Sequence, residues 1–145
     1  MLNRISALVI PHDVQRYNTV GDYYYSGDAL KVRISDLGNA DYEFLVLIHE
    51  LVESYLCAKR GISEPRIAAF DQDHPELRDP GADPRSPYRK EHLFSETIEH
   101  LIAKELGINW DEYDEVVNSL LEQELSPEQV KGTSSDDSDA DSVTS

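Results

Sequence analysis

The stretch from Asp41 to Arg60 constrains the fold more than any other part of this 145-residue chain. Its apolar side chains, placed about 100° apart as on an α-helix, point in nearly every direction. They are Phe44, Leu45, Val46, Leu47, Ile48, Leu51, Val52, Tyr55, Leu56 and Cys57. A helix that is apolar almost all round is covered by other elements, so this helix is predicted to be the centre of the domain.

The residues before this helix predict strands. An apolar run spans Ile5 to Ile10, and residues 22–25 and 30–34 flank Ser26-Gly27-Asp28, a typical hairpin turn. In residues 30–34 apolar and basic side chains alternate, which predicts one buried face and one face in water. The expected sheet is antiparallel and consists of the hairpin plus one strand.

Further helices are predicted around a loop at residues 79–87, which hold three prolines and a glycine. The central helix is expected to begin at a cap, Asn39 or Asp41. The second helix is short and is opened by Ser63-Glu64-Pro65. The third is capped by Ser86, has Pro87 as its first residue and ends at Gly107. The fourth is amphipathic and runs from Trp110 to about Glu124. The predicted fold class is therefore α+β, a small N-terminal sheet packed on three to four helices.

Composition predicts one globular domain over residues 1–130 and a disordered acidic tail over residues 131–145, KGTSSDDSDADSVTS. The net charge is −16, and the tail holds one lysine and four aspartates, so most of the acidity belongs to the domain. Such a surface repels phosphates and anionic lipid, so direct binding to nucleic acid or membrane is not expected. It suits a bound cation or a basic protein partner.

The N-terminal apolar run is too short for a signal peptide, and no window is long enough for a membrane span, so a cytoplasmic location is expected. The single cysteine, Cys57, excludes an internal disulfide and is predicted to be a small buried hydrophobic residue.

The charged residues of the central helix are its informative feature. His49 and Glu53 are four residues apart and lie on one face, while Glu50 lies on a neighbouring polar strip. A buried charge without a partner costs several kcal/mol. Either these side chains satisfy each other and a neighbouring group, or imidazole and carboxylate converge on a metal ion.

Residues 49–53, HELVE, resemble the zincin metallopeptidase signature HExxH, in which two histidines bind zinc and the glutamate is the general base. The resemblance implies that His49 is a ligand and Glu50 the base. Glu53 stands where the family has its second histidine, and a carboxylate can also bind zinc.

The third helix supplies candidates for the remaining ligands. His92, Glu96 and Glu99 share one face, which is either a solvated polar surface or part of a metal site built between two helices. His92 is the preferred third ligand, and Glu91, Glu96 and Glu99 are the alternatives. The remaining histidines, His12, His74 and His100, are predicted to lie on the surface.

Three segments together resemble a family of small uncharacterised proteins of tailed bacteriophages. They are TVGDYYYSGDALKVRISDLGNADYEFLVLIHELVESYLCAKRGI, DPGADPRSPYRKEH and ELGINWDEYD. The resemblance implies a phage origin and expression in the host cytoplasm.

Three functions are compatible with these features. The first is a metal-dependent hydrolase in which His49, Glu53 and His92 hold a divalent ion, zinc by preference, and Glu50 is the base. The second is an acidic accessory protein without enzymatic activity that binds a host factor. The third is a Mg²⁺-dependent nucleotide pyrophosphohydrolase with four glutamate ligands, which the histidine and the hairpin disfavour. The candidate glutamates are Glu50, Glu53, Glu96 and Glu99.

Overall fold

The computed structural model describes residues 2–123, which form a three-stranded sheet and four α-helices. The elements are β1 (Arg4–Ile10), β2 (Gly21–Ser26), β3 (Ala29–Ser35), α1 (Ala40–Lys59), α2 (Glu64–Asp73), α3 (Arg89–Glu105) and α4 (Trp110–Leu121). The α+β class is confirmed, with the sheet packed on helices. The predicted tail, residues 131–145, lies outside the described residues, as do the last residues of the predicted domain.

The sheet is mixed, with the strand order β1-β3-β2. Strands β2 and β3 form the predicted hairpin, but β1 runs parallel to β3, with Ile5 beside Leu30 and Val9 beside Ile34. The prediction of a wholly antiparallel sheet is therefore wrong for β1. Residues 11–20 keep the chain at the end of the sheet where β1 stops, because Gly21, the first residue of β2, pairs with Ile34. Strand β2 then runs back antiparallel to β1, and the hairpin places β3 between them, parallel to β1.

Every residue of the central strand β3 is buried. The prediction that Lys31 and Arg33 face water is wrong, since both residues are covered in the fold. The Arg33 guanidinium lies over the ring of Tyr24 on β2, 5.6 Å from the ring centroid.

Helix α1 packs against the sheet on one side and α3 on another, as expected for the central helix. The side chain of Asn39 caps it by accepting hydrogen bonds from the backbone N–H groups of Asp41 and Tyr42, at 2.9 and 3.2 Å. One stripe of α1 is open, since Phe44 is 44 % and Tyr55 67 % exposed. The expectation that α1 is covered all round is wrong there.

Helix α3 begins at Arg89, two residues after the predicted start at Pro87. Ser86 does not cap the helix. Its hydroxyl accepts a hydrogen bond from the backbone of Tyr88 in the preceding turn, at 3.2 Å. The buried residues of α3 include Glu91 and Glu99, so the polar face of this helix packs inward against α1.

Residues 79–87 form the predicted loop, which contains a short 3-10 turn at Pro80–Ala82. Within residues 2–123, no helix combines the length and apolar character that crossing a bilayer requires.

Candidate metal centre

Three side chains converge between α1 and α3. His49 Nε2 lies 3.0 Å from Glu53 Oε2 and 3.1 Å from His92 Nδ1, and His92 Nδ1 lies 2.9 Å from Glu53 Oε2. The helical i, i+4 spacing brings the first two together, and the facing helix supplies His92. These are the three ligands that the sequence predicts, and their donor atoms form one small triangle that can hold a metal ion.

The outer nitrogen of each histidine is held by a carboxylate. His49 Nδ1 donates to Glu99 Oε1, and His92 Nε2 donates to Asp79 Oδ1 at 2.8 Å. Glu99 in turn accepts a hydrogen bond from the hydroxyl of Tyr113 on α4, at 2.9 Å. These bonds fix the ring orientations, and in the neutral rings they turn both inner nitrogen lone pairs toward Glu53. Two lone pairs and a carboxylate oxygen about 3 Å apart repel unless a proton or another cation lies between them.

The same contacts determine the charge of the cluster. Burial opposes a charged His49, but hydrogen bonds to Glu53 and Glu99 outweigh burial and raise its pKa well above the ordinary value. Burial is likewise outweighed for His92, where Asp79 and Glu53 raise the pKa to about 10. Burial would raise the pKa of Glu53, but the two histidines lower it to about 2. The cluster therefore attracts positive charge to its centre.

The triangle fits the size of a zinc ion. Tetrahedral zinc with bonds of about 2.0–2.1 Å places its ligand atoms roughly 3.3 Å apart. The separations here are 2.9 to 3.1 Å, so the side chains need to spread by only a few tenths of an ångström. Two imidazoles and one carboxylate are donors that zinc accepts readily, whereas Mg²⁺ prefers oxygen ligands alone.

Glu50 lies beside the triangle and has a different environment. It is 9 % exposed and makes no hydrogen bond with any residue between 2 and 123. Burial, and then the negative charge of Glu53, raises its pKa well above the ordinary value. Its Oε1 lies against the backbone of Gly21 at the start of β2, where a Cβ atom would overlap it.

A cavity of about 580 Å³ adjoins the cluster and is lined in part by His49, Glu50, Glu53 and His92. This volume lies within the range of roughly 300–1,000 Å³ that is usual for small-molecule sites.

Asp71 of α2 also lines the cavity. Its carboxylate accepts hydrogen bonds from the hydroxyls of Tyr88, at 2.7 Å, and Tyr17, at 3.1 Å. Burial raises the pKa of Asp71 to about 6, although the two hydroxyls act in the opposite direction.

No family model, curated protein or solved structure matches this chain. The resemblances to the phage proteins and to the zincin signature stay predictions, and the function is inferred from the geometry of the site.

The other predicted ligands lie around the cluster rather than in it. Glu99 is behind His49, and Glu91 pairs with Arg60 at 2.6 Å on another part of the α1–α3 interface. Glu96 is partly buried at the cavity wall, and its carboxylate lies within 4.8 Å of donor atoms of Asp79 and His92.

Of the three histidines predicted to lie on the surface, His100 is exposed and His74 is partly buried. The prediction is wrong for His12. Its ring is buried and contacts Ser35 Oγ at 2.8 Å and Asn18 Oδ1 at 2.9 Å. These contacts tie the β1–β2 connection to the end of β3.

Sequence reasoning missed the residues that support the cluster. The sequence places Asp79 only in a predicted loop, and Tyr113 only within the last predicted helix. Gly81 was not singled out either, yet a Cβ atom there would lie 2.5 Å from Cγ of His92. The one available signal was the glycine and aspartate content of the loop before His92.

Proposed function

We propose that this protein is a metal-dependent hydrolase that uses a zinc-type ion to cleave an amide or peptide bond. The observation that carries the proposal is the arrangement of His49 and His92, each with one ring nitrogen held by a carboxylate and the other turned toward Glu53. Metal-binding histidines almost always donate their outer N–H to a carboxylate, a backbone carbonyl or water, and this partner fixes the tautomer and makes the inner nitrogen a better donor.

A purely structural network explains these residues less well. Buried ion pairs rarely stabilise a fold more than apolar residues of the same volume would. The cluster also adjoins a cavity that is large enough for a small molecule, whereas a structural network has no need of a cavity.

Zinc bound at this position would lower the pKa of a water molecule and polarise a carbonyl group. Glu50 supplies the proton acceptor. It lines the same cavity and has no hydrogen-bond partner among residues 2–123, so its oxygens are free to accept a proton. The reaction adds water across the C–N bond. The hydroxyl goes to the carbonyl carbon, and Glu50 carries the proton to the amine nitrogen.

The two other functions stay predictions. A Mg²⁺-dependent pyrophosphohydrolase is less favoured, because two of the three converging donors are imidazole nitrogens. The acidic accessory protein requires no metal at all, which makes metal binding the feature that separates it from the hydrolase.

Replacing Glu50 tests the proposed chemistry. Zinc-loaded Glu50→Gln should keep its fold and its metal, because Glu50 is not a ligand. It should cleave a panel of amide and peptide substrates at least about 100-fold more slowly than the wild type, since an amide cannot accept the proton. The matched control is Glu115→Gln, an exposed position on α4, which should cleave at the wild-type rate. Equal rates for Glu50→Gln and the wild type would contradict the role given to Glu50.

A further inference from the structure

The Asp71 carboxylate is held in a fixed orientation on the cavity wall. Each of its oxygens accepts one tyrosine hydroxyl, Tyr88 at Oδ1 and Tyr17 at Oδ2, and each keeps a further lone pair. No lysine, arginine or histidine of residues 2–123 forms an ion pair with Asp71. A partly buried carboxylate on the cavity wall is therefore in place without a cation.

Tyr88 links this carboxylate to the metal cluster. Its hydroxyl donates to Asp71, and its ring meets the His92 ring edge-on, with centroids 5.7 Å apart. Tyr88 is itself only 3 % exposed, so the distance between Asp71 and the cluster is set by a packed side chain. A ligand that reaches both groups has to match that distance.

Away from the metal cluster, acidic side chains outnumber basic ones in the cavity lining. The whole lining contains eleven acidic side chains against two arginines, Arg16 and Arg78, and three histidines. Arg16 is already paired with Asp22 at 2.7 Å and Glu64 at 2.5 Å, and it lies over the ring of Tyr24. A cleft lined by one sign of charge concentrates ligands of the opposite sign.

Glu50 is a second side chain of the cavity that can meet a polar group of a ligand. It is nine-tenths buried, lines the cavity, and has no hydrogen-bond partner among the described residues. Its carboxylate is open to the cavity, so it can pair there with water or with a polar group of a ligand.

We infer that the substrate carries a protonated amino group and that Asp71 binds this group while the reacting carbonyl lies at the metal cluster. The inference rests on the proposed hydrolase function and names its substrate class, an amine-bearing amide or peptide. Asp71 is then the residue that decides specificity, since its negative charge attracts an ammonium group and repels a carboxylate or phosphate.

Two metal-binding probes, one with a protonated amino group and one in which that group is acetylated and neutral, test the inference. Glycine hydroxamic acid has a free amino group, and N-acetylglycine hydroxamic acid lacks it. Binding of each to the zinc-loaded full chain is measured by calorimetry, for the wild type, Asp71→Asn and the control Glu115→Gln. We expect the wild type and the control to bind the amino probe at least tenfold more tightly than the acetylated one. Asp71→Asn should lose this preference while retaining its zinc and its affinity for the acetylated probe.

The possible failures are distinguishable. A wild type that holds zinc and binds both probes equally overturns the inference but not the metal site. The same conclusion follows if Asp71→Asn keeps the full wild-type preference for the amino probe. A wild type that takes up no zinc overturns the proposed function and the inference together. If Asp71→Asn does not fold, Tyr17→Phe takes its place, because it keeps the carboxylate and removes one of the two hydrogen bonds. Its preference for the amino probe should fall, and an unchanged preference contradicts the inference.

Discussion

Two glycines leave the space that the side chains of His92 and Glu50 occupy. A Cβ atom at Gly81 would lie 2.6 Å from Nδ1 of His92, the atom that faces the cluster, and one at Gly21 would overlap Glu50. Gly81 is the buried residue of a 3-10 turn that packs against α3, so a Cβ atom there has to displace the His92 ring or the turn itself.

The two positions predict different defects. Gly81→Ala should displace a ligand and weaken zinc affinity by roughly 10- to 100-fold, the range found when the support of a metal ligand is lost. Gly21→Ala should displace the base instead, so it should bind zinc as the wild type does and lose turnover. Zinc titration and amide hydrolysis measure the two effects separately. Wild-type zinc affinity in Gly81→Ala would contradict the packing described for His92.

The protonation of Asp71 predicts a pH-dependent stability. Its pKa is about 6 in the fold against an ordinary value of 3.8, so folding favours the neutral form. The resulting stabilisation is fully present below about pH 4 and is lost as the pH rises through 6. Between pH 4 and pH 7 the metal-free wild type should lose on the order of 2 kcal/mol relative to Asp71→Asn. Urea denaturation of both proteins at several pH values measures this difference, and a difference that does not change with pH would show that Asp71 is not perturbed.

The sequence predicts the candidate metal ligands better than the residues that hold those ligands in position. His49 and Glu53 follow from the i, i+4 geometry of one helix, and His92 follows from a second helix with a polar face. The contacts of Asp79 and Asp71 join side chains that are 13 and 17 residues away from their partners, across loops whose path no periodicity specifies. Local patterns carry no information about such pairs.

At the scale of elements, α3 shows why a hydrophobic pattern does not always indicate the core. Its polar face packs against α1 because the histidines and carboxylates of the two helices satisfy one another there. Leu101, on its apolar side, is 60 % exposed, whereas Leu45 of α1 is fully buried. Periodicity alone would assign both leucines to the core.

The two leucines therefore predict unequal costs. Leu45→Ala should lower the free energy of unfolding by about 2–5 kcal/mol, because it removes packed atoms and leaves a cavity. Leu101→Ala should cost less than about 1 kcal/mol, since most of that side chain is already in water. Urea denaturation curves of the two variants test this. A cost of several kcal/mol for Leu101→Ala would mean that this face of α3 is covered in solution.

The sheet shows the same limit of sequence patterns. Alternation and the turn at Ser26-Gly27-Asp28 specify the strands and the hairpin, and both are confirmed. The position of β1 depends on residues 11–20, where His12 and Gln15 are buried against Ser35. Those contacts join residues far apart in sequence, so the parallel pairing could not be predicted from the strands themselves.

At the scale of the whole molecule, the structure shows where part of the negative charge lies. The chain carries a formal charge of −16, and the structure gathers several buried carboxylates around one cavity. Glu53, Asp79 and Glu99 surround two imidazoles, so a divalent cation at the triangle neutralises charge that the fold otherwise has to balance with protons. The charge alone allowed an acidic binding protein as well as a hydrolase, and cation binding separates the two.

The central claim is that His49, Glu53 and His92 hold a metal ion, and the metal content of the purified full chain tests it most directly. The protein is incubated with zinc, dialysed, and analysed for metal by mass spectrometry, beside His92→Ala and the control His100→Ala, whose histidine is exposed and outside the cluster. We predict one zinc ion per chain in the wild type and in the control, and no stoichiometric zinc in His92→Ala. A folded wild type without zinc, or a His92→Ala variant that keeps a full equivalent, would contradict the claim.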